Sequence, residues 1–206
     1  MPTLPDVDAC PTCGRPPCDT VTGLDDRWTW AQQAPACLQR ILDHGGAAAV
    51  LVVDVDHFKA INTQYGHPAG DRVLRAIGAT ARHVTHVDDL VCRAGGGSDE
   101  ILILLADAGV NTAAAVAADL RTAVARLAVE APARNGVRIL RGPSVSVGYC
   151  VYDPMLLDPI DRGAVPDLDQ LVLAADDALL SAQATGGGVW PAYWGTDDLS
   201  TFSVRS

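Results

Sequence analysis

The sequence predicts an α/β (α+β) domain, and three observations carry that reading. The run Ala47 to Val55 is rich in valine and reads as a strand buried on both faces. Two shorter apolar runs, Leu90 to Arg93 and Ile101 to Leu105, flank Gly95-Gly96-Gly97-Ser98 as an antiparallel hairpin with a glycine-rich tip. Between and around these strands, apolar residues recur at helical spacing.

Taken in order, Trp30, Ala34, Leu38, Ile41 and Leu42 mark a helix from Asp26 to about His44, which Gly45-Gly46 stops before the first strand. A second helix follows from Pro68 to His83, with Val73, Leu74, Ile77, Ala81 and Val84 on one face and the proline in its first turn. After the hairpin, Val116, Leu120, Val124 and Leu127 define a third helix. Val137 to Leu140 and Ser144 to Tyr152 alternate as strands, separated by Pro143. Asp153 to Asp167 is a loop. Leu168, Leu171, Val172, Ala175, Leu179 and Leu180 then make a final helix that ends at Gly186-Gly187-Gly188, and Val189 to Trp194 adds an edge strand. Trp190 and Trp194 are expected to pack under that edge.

Three parts emerge: a Cys/Pro-rich element over residues 1–18, one folded domain over 19–195, and a polar tail over 196–206. Hydrophobic residues make up 49% of the 206 and charged residues 19%, which excludes a disordered or fibrous chain. A net charge of -10 offers no general attraction to a phosphate backbone, so no nucleic-acid partner is expected. The longest apolar stretch, Ala47 to Val53, is far shorter than the roughly 20 residues that span a bilayer. No membrane partner is expected, and the residues at the start lack a signal-peptide pattern, so the expected location is the cytoplasm.

Asp54 and Asp56 stand where the buried strand runs out. Carboxylates there can hold a divalent cation beside a phosphate, or simply cap the next element in solvent. Asp99 and Glu100 follow the glycine turn, and pairing of the strands would bring this second acidic pair toward the first.

The run Asp54-Val55-Asp56-His57-Phe58-Lys59-Ala60-Ile61-Asn62, followed by Tyr65-Gly66-His67 and Gly70-Asp71, resembles the GGDEF family of diguanylate cyclases. Further stretches fall in the family's order: Asp19 to Leu24 with Arg27, Arg93 before the glycine turn, Asp99-Glu100-Ile101, Ser144 to Gly148, and Ala175 to Leu179. The resemblance implies a palm-like nucleotidyl cyclase fold, with a central, mostly antiparallel sheet flanked by helices. It also implies that two GTP molecules are joined into cyclic di-GMP by a homodimer. By the same resemblance Asp54, the Val55 carbonyl and Asp99 hold two Mg²⁺ (or Mn²⁺) ions. Asp99, Glu100 and Lys59 form the catalytic set. Asn62 and Asp71 read the guanine edge, and Lys59 with the backbone around His57 and Phe58 meets the phosphates. His57 and His67 lie in the matched motif and are expected to be structural.

Departures from the family pattern are as informative. The turn is two residues longer than the signature, and Ser98 replaces its second glycine, where a side chain can obstruct backbone approach to a phosphate. The family's phosphate-gripping lysine and arginine in the last helix correspond to Gln183 and Gly187. Each charge-assisted contact is worth roughly 1.5 to 3 kcal/mol, so both losses together weaken triphosphate binding by about two to four orders of magnitude. His86 stands where an inhibitory product site has arginine, three positions before Asp89, so no tight feedback site is expected. Two readings follow: a cyclase of reduced efficiency, or a catalytically silent module that binds GTP or cyclic di-GMP and acts through a protein partner.

Six cysteines are too few for a disulfide framework at this length. Cys10-Pro11-Thr12-Cys13-Gly14 has the form of a zinc knuckle, with Cys18 as third ligand and Cys37 or His44 as the fourth. An inert vestige and a redox or intermolecular thiol are the alternatives.

Overall fold

The computed structural model describes residues 18–95, 97–133, 136–157 and 165–195. The Cys10–Cys13 turn and the tail 196–206 lie outside the described residues.

Helix α1 (Arg27–Asp43) starts where the Asp26 carboxylate accepts the Thr29 N–H at 2.8 Å. It buries the predicted Trp30, Ala34, Leu38 and Ile41, together with Cys37. Strand β1 (Ala48–Val55) is buried along almost its whole length. Helix α2 (Phe58–Tyr65) was not expected: it is only two turns long, and its apolar Phe58 and Ile61 are only partly buried against the core, too short a stripe to stand out. Helix α3 (His67–Val84) follows after a bend at Gly66, whose φ is 88°.

Strands β2 (Leu90–Arg93) and β3 (Glu100–Ala106) form the predicted hairpin. Helix α4 (Val110–Ala125) begins earlier than its large apolar residues indicate, because Ala113 extends its buried face. Strands β4 (Ala128–Ala133) and β5 (Gly136–Arg141) pair only with each other. The alternation read at Val137 to Leu140 is therefore a strand outside the main sheet, and its partner β4, built on alanines and Pro132, escaped notice. Strand β6 (Val145–Tyr152), helix α5 (Leu168–Ala184) and strand β7 (Val189–Tyr193) complete the domain.

The main sheet runs β2-β3-β1-β6-β7, antiparallel throughout except for the parallel β6–β7 pair. Side chains alternate between its faces. Ala49, Leu51, Val53 and Val55 join one core with α3 and α4; Ala48, Val50 and Val52 join the other with α1 and α5. Helix α5 reaches β6 at Gly148, where any Cβ would collide with the helix backbone at Ala175 and Leu179.

At the β7 edge, Gly188 accepts from Val147 and Trp194 donates to Val151. The backbone of Pro191, of opposite parity, therefore faces away from β6. Trp194 meets the Tyr152 ring edge-on at 5.6 Å, as expected of a residue packed at this edge, whereas Trp190 is 43% exposed. No described helix is long and apolar enough to cross a membrane.

Candidate active site

The register of the sheet assembles the acidic residues. Asp54 is the partner of Glu100 on β3 and of Ser146 on β6, so these three side chains share one rung and one face. By strand parity that is the face covered by α5. Asp99 sits one residue outside β3. The approach of the two acidic pairs thus follows directly from strand pairing.

Asp54 is half-buried, and its pKa is pushed up to about 6 by burial first, then by the charges of Asp99, Glu100 and Asp56. A hydrogen bond from Gln183 opposes the rise: Nε2 donates to Asp54 Oδ2 at 2.9 Å. Ser146, fully buried, donates its hydroxyl to Asp56 Oδ1 at 2.7 Å. Sequence reasoning missed both donors as partners of these acids. Their signals are present, since Ser146 lies in the matched Ser144–Gly148 stretch and Gln183 stands at a position where the family carries a cation.

Hard carboxylate oxygens repelling one another beside the Val55 carbonyl are a donor set suited to Mg²⁺ or Mn²⁺, whose charge would relieve the repulsion. Among the described residues, no three His, Cys, Asp or Glu side chains are drawn around one point as ligands. The acids therefore match the chemistry of the cation without being closed around it.

Beyond β1 the chain reverses at His57, whose left-handed φ of 57° turns it into α2, and the His57 carbonyl accepts from Ala60 and Ile61. The side chains of His57 and His67 are both exposed. Phe58 packs against the core, and Lys59 is exposed on the first turn of α2.

Asn62, on α2, faces Gly70 on α3 so closely that a Cβ at Gly70 would strike its amide oxygen and come within 3.1 Å of Phe58 Cζ. That oxygen is buried with no hydrogen-bond partner. A buried polar atom without a partner costs free energy unless a ligand satisfies it. Asp71, exposed, follows Gly70 on α3.

The glycine turn is anchored rather than loose. Arg93, 5% exposed, donates from Nε to the Ser98 carbonyl at 2.8 Å and from its guanidinium to both Asp19 oxygens at 3.2 Å. The Ser98 hydroxyl accepts the Glu100 N–H at 3.1 Å and faces the Glu100 carboxylate at 3.4 Å. It is engaged within the turn and belongs to the turn's own bonding.

At Gly187 the backbone φ is 94°, and a Cβ would lie 3.3 Å from Ser146 Oγ and 3.6 Å from Asp56 Oδ2. Asp89 is buried, accepting the N–H groups of His86 at 2.7 Å and Ala106 at 2.9 Å.

The zinc expectation finds no support. Cys18 is exposed, but Cys37 is 1% exposed within the core, and His44 Nδ1 is engaged by the Arg40 carbonyl at 2.7 Å. The thiols of Cys92 and Cys150 are each pushed up to about 12 by burial, which leaves them inert.

Comparison with known proteins adds a further finding. The family description "Diguanylate cyclase, GGDEF domain" matches residues 17–188. Diguanylate cyclase DosC of Shigella sonnei (strain Ss046) is 32% identical over 156 residues, covering 74% of this chain and 30% of that protein. Probable diguanylate cyclase DgcT of Escherichia coli (strain K12) is 31% identical, covering 76% and 29%. The chain thus spans less than a third of these relatives' length. Among solved structures, diguanylate cyclase SiaD in complex with its activator SiaC from Pseudomonas aeruginosa aligns with a TM-score of 0.71 at 29% identity, covering 85% of this chain and 61% of that one. The GGDEF domain of DgcB from Caulobacter crescentus, in complex with c-di-GMP, aligns with a TM-score of 0.72 at 22% identity, covering 85% and 92%, a likeness of fold.

Proposed function

The chain belongs to the diguanylate cyclase GGDEF-domain family, and from that premise we propose that it condenses two GTP molecules into cyclic di-GMP with reduced efficiency. The observation that carries the reading is the rung on which Asp54 meets Glu100, with Asp99 beside it. In the reaction the 3′-oxygen of each GTP attacks the α-phosphorus of the other. Two P–O bonds form, two pyrophosphates depart, and two hydroxyl protons are given up.

Asp54, Asp99 and the Val55 carbonyl are the groups that would hold Mg²⁺ or Mn²⁺. When bound, the cation supplies charge stabilisation to the triphosphate and acidifies the attacking hydroxyl. Glu100 is placed on the same rung to accept that hydroxyl's proton. Asn62, through its unpartnered amide oxygen, and Asp71 bind guanine: a carboxylate accepts both N1–H and N2–H, whereas adenine presents an acceptor at N1. Lys59 and the backbone at His57 and Phe58 meet the phosphates. One site holds one GTP, so two copies must meet for the bonds to form. GTP as substrate assigns the reaction to the cytoplasm.

The test is incubation with GTP and Mg²⁺ followed by chromatography of the nucleotides. Cyclic di-GMP is expected, at a rate that rises faster than linearly with protein concentration in the dilute range. A strictly linear rate from a demonstrated monomer would count against the dimeric reaction. A second reading is favoured by Gln183 and Gly187, which supply no cation to a triphosphate. In it the protein binds GTP or cyclic di-GMP without turnover and signals through a protein partner; that a relative can have a protein partner is seen in diguanylate cyclase SiaD, solved in complex with its activator SiaC. Bound nucleotide without product would select this reading.

A further inference from the structure

The amide of Gln183 is delivered to the acidic cluster by a rigid element. Helix α5 lies backbone against backbone on β6 at Gly148 and is pinned by the buried Ala175, Ala178, Leu179 and Ala182. From the last turn of this helix Gln183 donates to Asp54 Oδ2 at 2.9 Å. The neighbouring strand β6 treats Asp56 in the same way, through Ser146 at 2.7 Å. Both carboxylates at the end of β1 are thus each held by one neutral donor from the same side.

We propose that Gln183 is a positioning residue for the cation-binding carboxylate, orienting Asp54 through Oδ2 and leaving Oδ1 as its ligand atom. The inference rests on the cyclase reading of Asp54. A donor behind a ligating carboxylate fixes its rotamer, and such partners typically matter 10- to 100-fold in metal affinity. The charge of the donor decides what else it does. Without a phosphate to hold it, a lysine at this position is a point charge that competes with an incoming cation for the carboxylate, whereas the glutamine amide orients the carboxylate with no net charge. Gln183 is therefore a change of task, from the triphosphate to the metal ligand, in addition to being a lost phosphate contact.

The experiment is Mn²⁺ binding to the full chain without nucleotide, followed by electron paramagnetic resonance and calorimetry, with thermal melting as a control. Gln183→Met keeps the length of the side chain and loses the donor. Gln183→Asn keeps the amide and loses the reach. Both are expected to weaken Mn²⁺ binding about tenfold or more at an unchanged melting temperature, since the side chain is exposed. Asp54→Ala is expected to abolish the high-affinity site. Parent-like Mn²⁺ affinity in both Gln183 variants, with loss in Asp54→Ala, would overturn the positioning role while sparing the metal site. Tighter Mn²⁺ binding in Gln183→Met would also overturn it, showing that the amide competes with the cation. Parent-like affinity in Asp54→Ala would overturn the cyclase assignment of the site itself.

Discussion

Arg93 and Asp19 are joined by a paired contact, the guanidinium lying 3.2 Å from each carboxylate oxygen, although 74 residues separate them. Only 6% of the Arg93 side chain and 15% of the Asp19 side chain are exposed. Because the same guanidinium carries the Ser98 carbonyl at 2.8 Å, one side chain ties the segment before α1 to the glycine turn beside the acids.

Replacing either partner alone strands the other as a buried charge. Arg93→Met and Asp19→Ala are each expected to lower unfolding free energy by about 3 kcal/mol or more in urea titrations. Arg93→Met should also weaken GTP binding, since the turn loses its anchor. A loss below about 1 kcal/mol in both variants would show that the pair is solvated in solution.

Asp19 sets the sign of an acid response. Burial raises its pKa, but the hydroxyl and N–H of Thr22 together with Arg93 outweigh burial and hold it below the ordinary value of 3.8. A depressed carboxylate stabilises the fold above its unfolded pKa, and that contribution is lost as pH falls through the folded value. Melting measured between about pH 5 and 2 is expected to fall more steeply for the parent than for Asp19→Asn. Parallel curves would remove Asp19 as a source of acid sensitivity.

Gly70 controls access to the Asn62 amide. Gly70→Ala places a methyl group onto the amide oxygen and against Phe58, with an overpacking cost of about 1 to 3 kcal/mol. GTP affinity should fall together with the preference for GTP over ATP. Calorimetry showing a destabilised protein with intact preference would detach Asn62 from base recognition.

Restoring cations at the two departed positions is not symmetrical. Gln183→Lys is expected to tighten GTP binding in the presence of Mg²⁺ by about tenfold, the equivalent of roughly 1.4 kcal/mol. Lysine there still has a donor able to meet Asp54 until a phosphate displaces it. Gly187→Arg is expected to give no gain, because its φ of 94° disfavours a side chain and its Cβ would crowd the Ser146 hydroxyl at 3.3 Å. A sequence comparison alone makes the two substitutions look equivalent. Isothermal titration of the two single variants separates them, and equal gains would refute the steric argument.

Much of this architecture was legible in the sequence because burial wrote it there. Strand β1 announced itself through unbroken valine and leucine, and α1, α3 and α5 through stripes that the structure buries. What escaped lacked a long stripe: α2 is two turns long with only Phe58 and Ile61 partly buried, and β4 is built of alanine, valine, a glutamate and a proline. The identities of Asp54, Asn62 and Glu100 as site candidates were likewise readable from their motif. Their hydrogen-bond partners were not, since Gln183 reaches Asp54 across 129 positions and Ser146 reaches Asp56 across 90. Only folding makes such pairs neighbours.

Pro191 bears on how two copies of the domain can meet. Strand β7 is an outer strand of the sheet, and the backbone groups it turns outward include Pro191, which has no N–H to donate. At the opposite margin, Asp25 already bonds β2 through Val91 and Arg93. A continuous intermolecular sheet is thus discouraged on both flanks. Two protomers meeting as the proposed reaction requires would then use surfaces other than a shared sheet, and they could part again without unzipping any strand.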